Sequence, residues 1–392
     1  MIKLKSTHPL SGCVVVFGQS YDIKPDVSRR FGIVEVPDLH TANFMAEHMG
    51  YQFMGYERIR RAKKIVIRRG RGIGDVLMVV PIARMLMADD PGKQITLACD
   101  IPKMDLAKHL PYFTRVVPLN RLQFHQDKVW VVDADGMNPD EHDTWINLEN
   151  LAETDPDQAI HHRIDLFARA AGFDIPLQPH QRALEMRLTK DEADAGRRRL
   201  VSLGWRPGEK LLAMAVRSTS ENRNMPSHIF REVADRAARD GWKILILDHD
   251  SMFGWEGPGV INLAGKTLGE EENRQVASLI VHATMFFGPD SGLWHMANAL
   301  HVPNTVYFGA MDWRLRVTGP TRVLFRNVAC YPCNTYGCHW HKKHACIDLS
   351  SEEIWREILV HHRQVSENAI VVSKPMPPQR ETHSVQAVGV GG

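Results

Sequence analysis

The chain has 392 residues, 44% of them apolar and 24% charged, which fits a globular protein of about two medium-sized domains. A formal net charge of +2 gives no bulk electrostatic case for a nucleic acid or a membrane surface, so neither is expected as a partner. No charged-then-apolar leader opens the sequence and no apolar run reaches membrane-spanning length, Cys13-Val-Val-Val-Phe17 being far too short, so a cytoplasmic location without a transmembrane segment is the default expectation.

Residues 1–62 predict a small accessory module of unknown role. They hold a short apolar strand (Val14 to Phe17), a patterned segment (Phe31 to Val36) and a short helix (Asp38 to His48) ending at Gly50, read together as a hairpin and a helix. From Lys63 a regular alternation begins. Lys64 to Arg68 reads as a strand, Gly70 to Gly74 as a loop and Asp75 to Ala88 as a helix. Strands follow at Gln94 to Cys99, Arg115 to Pro118 and Val129 to Val132, and a helix at Ile160 to Ala171. This is the βαβ rhythm of a doubly wound parallel sheet, placed at 63–188. A charged helix, Lys190 to Ser202, supplies the linker at 189–206.

The rhythm restarts at Pro207-Gly208, opening a domain at 207–365. Strands are predicted at Leu211 to Val216, Lys243 to Leu247, Gly259 to Leu263, Thr284 to Phe287 and, last, Thr305 to Phe308. Helices are predicted at Pro226 to Arg239, Glu270 to His282 and Ser291 to Leu300. Residues 366–392 carry no periodicity and are expected to be a disordered tail. The fold class is therefore α/β, with two Rossmann-like domains expected to face a ligand cleft at the carboxyl ends of their strands.

Two segments carry most of the chemistry. Asn262-Leu-Ala-Gly-Lys-Thr-Leu-Gly-Glu270 precedes Phe286-Phe-Gly-Pro-Asp-Ser-Gly-Leu-Trp-His295. The second reads as a buried strand, a tight turn and a helix opening at Asp290, Ser291 and Gly292, with His295 in its first turns. Unsatisfied N–H groups and the positive end of a helix dipole suit a diphosphate.

Four segments resemble the ADP-heptose:lipopolysaccharide heptosyltransferases, inverting glycosyltransferases of family 9 with the two-domain GT-B fold. They are Arg69 to Pro81, Arg217 to Pro226, Asn262 to Thr267, and Asp290 to Leu300 with Pro303 and Phe308-Gly309. The resemblance runs from about Lys63 to about His362. It implies that Asp75 is the base that takes the acceptor hydroxyl's proton. Desolvation is expected to raise its pKa; the simpler role for Asp75 is an N-cap. Gly72, Gly74 and Arg71 form the acceptor-side loop. Arg217, Arg223, Lys266, Asp290, Ser291, Gly292 and His295 are the implied donor-binding set. The family has a lysine where Arg223 stands, ahead of a Trp-Pro pair that is Met225-Pro226 here. Arg68, Arg69 and Arg71 would suit an anionic acceptor, although loop arginines are commonly just exposed. Glu270 to Glu272 could reach the ribose hydroxyls.

Two rival motifs compete with these residues. Gly70-x-Gly72-x-x-Asp75 with Asp100 resembles a dinucleotide fingerprint, but Asp75 replaces the third glycine. Asp133-Ala-Asp135 imitates a metal-binding Asp-x-Asp, and a strand end with a turn explains it as well.

Cys330, Cys333, Cys338 and Cys346 are interleaved with His339, His341 and His344 in a loop at 330–346. The spacing favours a structural zinc held by four thiolates, or by three and a histidine, over disulfides, with small buried thiols as the plain alternative. No cofactor is expected for catalysis. The reading is an inverting transferase moving a heptose-like sugar from an ADP-linked donor to a hydroxyl of a glycan or glycolipid acceptor such as a lipopolysaccharide core. The alternative is a retired GT-B fold that binds a sugar or a partner.

Overall fold

The computed structural model describes residues 2–6, 12–17, 19–26, 31–36, 41, 44–45, 49, 51–54, 59, 62–125, 128–132, 140–155, 157–220, 223–249, 255–266, 272–334, 338, 345–372 and 387–390. The chain divides into two compact units, Met1–Arg182 and Ala183–Gly392.

The first unit begins with a five-stranded antiparallel sheet rather than a single hairpin. Its strands are β1 (Ile2–Ser6), β2 (Gly12–Val16), β3 (Gln19–Asp26), β4 (Phe31–Val36) and β5 (Gln52–Met54), in the order β2-β3-β4-β1-β5. Period-two alternation turns Val14, Val16, Tyr21, Ile23, Val34 and Val36 inward with Leu4 onto Met45 and Tyr51. The predicted helix at Asp38 to His48 falls mostly outside the described residues.

A four-stranded parallel sheet follows, built from β6 (Lys64–Arg68), β7 (Gln94–Cys99), β8 (Arg115–Pro118) and β12 (Thr144–Asn147) in the order β12-β6-β7-β8. After β6 the chain forms α1 (Ile73–Leu77) and α2 (Val80–Asp89) instead of one helix. Pro81 has no N–H to give to Leu77, so the helical ladder resets at Met78-Val79. The strand read at Val129 to Val132 exists as β10 (Lys128–Val131), but it lies in a separate antiparallel sheet, flanked by β9 (Leu122–His125) and β11 (Asp140–His142). Val129 and Val131 pack against Val66, Ala98, Val117 and Trp145. Helices α3 (Leu151–Thr154) and α4 (Arg163–Ala170) complete the unit.

The second unit opens with α5 (Lys190–Ser202), started by a capping box in which Thr189 and Glu192 satisfy each other's backbone N–H. Its seven-stranded sheet runs β15-β14-β13-β16-β17-β18-β19. The strands are β13 (Leu211–Ala215), β14 (Lys243–Leu247), β15 (Val260–Asn262), β16 (Met285–Pro289), β17 (Asn304–Tyr307), β18 (Thr321–Arg326) and β19 (Ala387–Val390), and every pairing is parallel. Helices α6 (Ser227–Arg239), α7 (Glu272–Ile280), α8 (Gly292–Ala299) and α9 (Ser351–Val372) accompany it. Phe230, Trp242, Phe287, Tyr307 and Trp355 fill a shared core.

Three features depart from expectation. Strand β18 follows β17, where the sequence reading ended the sheet. Helix α9 runs through Val365 to Val372, and β19 lies within the segment read as a tail. Trp355 Nε1 donates to Asp240 Oδ2 at 2.7 Å and its ring meets Trp242 edge-on, which ties α9 to the end of α6. No helix among the described residues is long and apolar enough to cross a membrane.

Helices α5 and α7 cross in close contact at Gly196. A Cβ there would sit 2.0 Å from the Ser278 carbonyl oxygen and 2.5 Å from its carbon, both backbone atoms that cannot move aside. Next to this crossing, Arg274, only 2% exposed, donates to both Glu192 oxygens at 2.5 and 2.6 Å. Gly196→Ala is therefore expected to lower unfolding free energy by at least about 2 kcal/mol, the scale of overpacking, when measured by urea denaturation. An unchanged midpoint would contradict this packing.

Candidate functional site

In each parallel sheet the order of the strands reverses at one point, and the loops that leave the carboxyl ends there open side by side. In the second unit the reversal falls at β13 and β16, which pair directly. The loop after β13 is braced at both ends. Asn224 accepts from the Ser218 N–H and returns a bond to Ser218 O, at 2.7 and 3.0 Å. The Met225 N–H donates to the Tyr307 hydroxyl at 3.1 Å. This brace brings Arg217 and Arg223 to the sheet edge.

After β16 the chain turns at Asp290 into α8. Ser291, in extended conformation, is the N-cap, and its hydroxyl accepts from the Trp294 N–H. The first-turn N–H groups of a helix have no acceptor within it, so Ser291 and Gly292 stand where an anion would be held. Asp290 is 2% exposed. Arg223 Nη1 donates to its carbonyl at 3.1 Å and to Oδ2 at 3.3 Å. Arg316 Nη1 lies 4.0 Å from Oδ2, and His295 Nε2 3.9 Å from Oδ1. Arg217 Nε lies 3.5 Å from Oδ2 of Asp248, at the end of β14. Three arginines and a histidine thus surround two carboxylates, leaving a cationic excess beside a helix N-terminus.

The structure brings together six of the seven residues expected to hold the donor. Lys266 is different. It is exposed beyond the end of β15, a strand two places from β13 in the sheet, and lines a cavity of about 840 Å³ with Arg231, Trp255, Glu256 and Asn262. Its link to the cluster is through the backbone, where the Gly265 N–H donates to Asp248 O at 2.9 Å. Asp248 and Arg316 escaped the sequence reading. Asp248 could have been found, because it follows a predicted strand at its carboxyl end, whereas Arg316 carries no local signal.

In the first unit the reversal falls at β6 and β12. The loop after β6 is shaped by side chains from elsewhere. The Gly70 N–H donates to Glu149 Oε1, and a Cβ at Gly70 would come within 2.9 Å of Asp100 Oδ1 and Leu119 Cδ1. Arg71, at φ 75°, donates its N–H to Asp100 Oδ2 at 2.8 Å and its exposed guanidinium to Asn150 Oδ1. Asp100 therefore holds this loop, which gives it a structural use in place of the ribose contact of the dinucleotide alternative. Gly72 caps α1, and Gly74 is buried in its first turn.

Asp75 is the third residue of α1, not its N-cap; its Oδ2 accepts from the Gly72 N–H at 3.1 Å. Its Oδ1 accepts from Arg69 Nη2 at 2.6 Å and from Arg163 Nη1 at 3.1 Å. Arg69 is not an exposed loop cation. It is fully buried, lies over the Phe167 ring at 5.2 Å, and donates to Leu148 O at 2.6 Å. The expected upward shift of Asp75 does not occur. Burial pushes its carboxyl up, but the charges of Arg69 and Arg163, with the hydrogen bonds from Arg69 and Gly72, hold it below the usual carboxylate range.

Cys330, Cys333, Cys338 and Cys346 are all half-buried. The Cys346 thiol is pushed up to about 11, by burial first and then by the neighbouring Cys333, Cys330 and Cys338, so the four sulfurs share one neighbourhood. Among the described residues no group of three or more His, Cys, Asp or Glu is arranged to hold a metal ion. His339, His341, His344, Asp133 and Asp135 lie outside the described residues, as do Glu270 and Glu271.

The family model of glycosyltransferase family 9 (heptosyltransferase) matches residues 139–344, which contain the Asp290 cluster and not Asp75. The glycosyl transferase family 9 structure from Veillonella parvula DSM 2008 is similar at TM-score 0.58 and 15% identity, over 77% of this chain and 98% of that one. E. coli ADP-heptose lps heptosyltransferase II is similar at 0.59 and 14%, over 77% and 99%. The dodecameric iron-containing heptosyltransferase TibC of E. coli, in complex with ADP-D-beta-D-heptose, is similar at 0.56 and 15%, over 80% and 79%. At these identities the likeness establishes the fold, GT-B. No curated protein matches the sequence.

The different settings of the cations predict different losses. With EDTA present, Arg223→Ala is expected to weaken ADP binding about ten-fold in isothermal titration, and Asp290→Ala/His295→Ala at least as much, against at most about two-fold for Lys266→Ala. Equal losses for the two single variants would contradict the assignment of the pocket to α8.

Proposed function

The chain belongs to glycosyltransferase family 9, the heptosyltransferases, and we propose that it transfers a heptose-like sugar from an ADP-linked donor to a hydroxyl of a glycan or glycolipid such as a lipopolysaccharide core, with inversion. The cation-rich N-terminus of α8 carries this reading. A departing nucleoside diphosphate gains negative charge as the glycosidic bond breaks. The α8 N–H groups, Arg217, Arg223, Arg316 and His295 are the residues to stabilise it without a catalytic metal or cofactor. The donor named for TibC, ADP-D-beta-D-heptose, supports an ADP-linked sugar.

Asp75 acts as the base. Already ionised at neutral pH, it removes the acceptor's hydroxyl proton while the hydroxyl oxygen attacks the anomeric carbon from the face opposite the diphosphate. One observation favours the retired-fold alternative: both Asp75 oxygens already accept hydrogen bonds.

We propose a separate, structural role for the cysteines of residues 330–346. The four cysteines are not arranged in this structure to hold an ion, so the proposal rests on their spacing in the sequence, which suits a soft divalent metal bound as thiolates. Zinc is the occupant proposed, with iron, named for TibC, as the competitor.

Two outcomes follow. Asp75→Asn is expected to lower kcat at least about a hundred-fold while ADP affinity stays within about two-fold of wild type; an active variant removes Asp75 as the base. Elemental analysis of the purified protein is expected to find about one zinc per chain, lost in Cys330→Ser/Cys333→Ser. Iron at that level would keep the site and change its metal, and no bound metal would remove it.

A further inference from the structure

Asp75 belongs to a closed ring of charges that the proposed chemistry has not used. Arg69 Nη2 reaches Asp75 Oδ1 at 2.6 Å and Glu153 Oε1 at 3.5 Å. Arg163, the first residue of α4, reaches the same two oxygens, at 3.1 Å through Nη1 and 3.2 Å through Nη2. Two cations and two carboxylates alternate, so the ring is neutral overall. Both guanidiniums bind the same oxygen of Asp75. Oδ2 has the Gly72 N–H at 3.1 Å. An oxygen with two charge-assisted bonds is a poor proton acceptor, and a carboxylate oxygen with one neutral donor keeps lone-pair capacity.

Arg69 is fully buried over the Phe167 ring. Arg163 is 12% exposed and joins α4 to α1 and α3 through one planar fork. We propose that Arg163, together with Arg69, is a positioning residue for transfer: it clamps Oδ1 of Asp75 and leaves Oδ2 as the atom that receives the acceptor proton, while Glu153 holds the Arg163 fork in place. This rests on the reading of Asp75 as the base. In the step itself the acceptor O–H bond breaks with its proton passing to Oδ2. The acceptor oxygen bonds to the anomeric carbon, and the bond from that carbon to phosphate oxygen breaks with its electron pair leaving on the diphosphate.

The charged groups around the base are Arg69 from the loop after β6, Arg163 from α4 and Glu153 from α3. Beyond them lie Glu149 on the Gly70 N–H, Asp100 on the Arg71 N–H, and the exposed Arg71 guanidinium at Asn150. Arg69 and Arg163 are the cations that lower Asp75, against burial that raises it. A base held low is active above its pKa and fails only as pH falls through it. Removing one cation must therefore move the acid limb of kcat upward.

The test follows ADP release from ADP-heptose with a heptose-deficient lipopolysaccharide core as acceptor, from about pH 2.5 to about pH 8, so that the wild-type acid limb falls inside the range. Arg163→Gln is expected to lower kcat at neutral pH by roughly ten- to a hundred-fold and to move the acid limb up by about one pH unit or more, with the donor KM within about two-fold. Arg163→Lys restores the position of the limb but not the full rate, because an ammonium cannot span both carboxylates as the fork does. An Arg163→Gln profile with the wild-type acid limb overturns the proposal, even with a reduced rate. If that variant does not fold, Glu153→Gln carries the test: reduced kcat with unchanged donor KM is expected, and wild-type kcat overturns the clamp. Asp75→Asn run in parallel separates the two levels. An active Asp75→Asn removes the base itself; an inactive one with an unshifted Arg163→Gln removes only the clamp.

Discussion

In both units a parallel sheet reverses its strand order at one place, and the charged groups of interest are attached at that place. Parallel strands need crossovers of a single hand, so helices that lead away in opposite directions leave a gap at the carboxyl edge. Two loops border each gap. In the second unit they supply Arg217 and Arg223 on one side and Asp290 with the start of α8 on the other. In the first they supply Arg69 and Asp75 on one side and Leu148, Glu149 and Glu153 on the other. Had β12 or β16 joined its sheet at the opposite edge, these side chains would be several strand spacings of about 4.8 Å apart.

The two clusters differ in charge balance, and the difference matches what each must do. Around Asp75, the proposed base, two cations meet two carboxylates, which keeps an ionised, half-buried carboxylate in one orientation. Around Asp290 the cations are in excess, with Arg217, Arg223 and Arg316 against Asp248 and Asp290 and a helix N-terminus beside them. A neutral ring suits a group that must be held still. A cationic excess suits a ligand that arrives charged and becomes more so.

Much of this architecture was legible in the sequence because burial on both faces leaves uninterrupted apolar strands, such as Leu211 to Val216 and Lys243 to Leu247, punctuated by Gly, Pro and capping residues. Ser291 announced its helix. Strands with polar or charged residues were harder. Thr144–Asn147 is short, and Thr321–Arg326 carries Arg322, buried only because Glu357 on α9 accepts from its Nε at 2.8 Å. Alternating polar residues concealed β1 and β3. The surroundings of Asp75 were illegible for a different reason. Arg69 and Glu153 are adjacent in space and 84 positions apart in sequence, so nothing local distinguishes a buried arginine from its neighbours Arg68 and Arg71. The direction of the Asp75 shift was missed on the same account: desolvation can be guessed from a sequence, while its compensating partners cannot.

The proposed transfer is a single displacement at the anomeric carbon, with one base and no catalytic metal. Proton NMR of the sugar during turnover of ADP-heptose in EDTA would read the anomeric configuration delivered to the acceptor. A single metal-free displacement delivers a configuration opposite to that of the donor, at the same rate with and without EDTA. Delivery with retained configuration, or turnover abolished by the chelator, would contradict it.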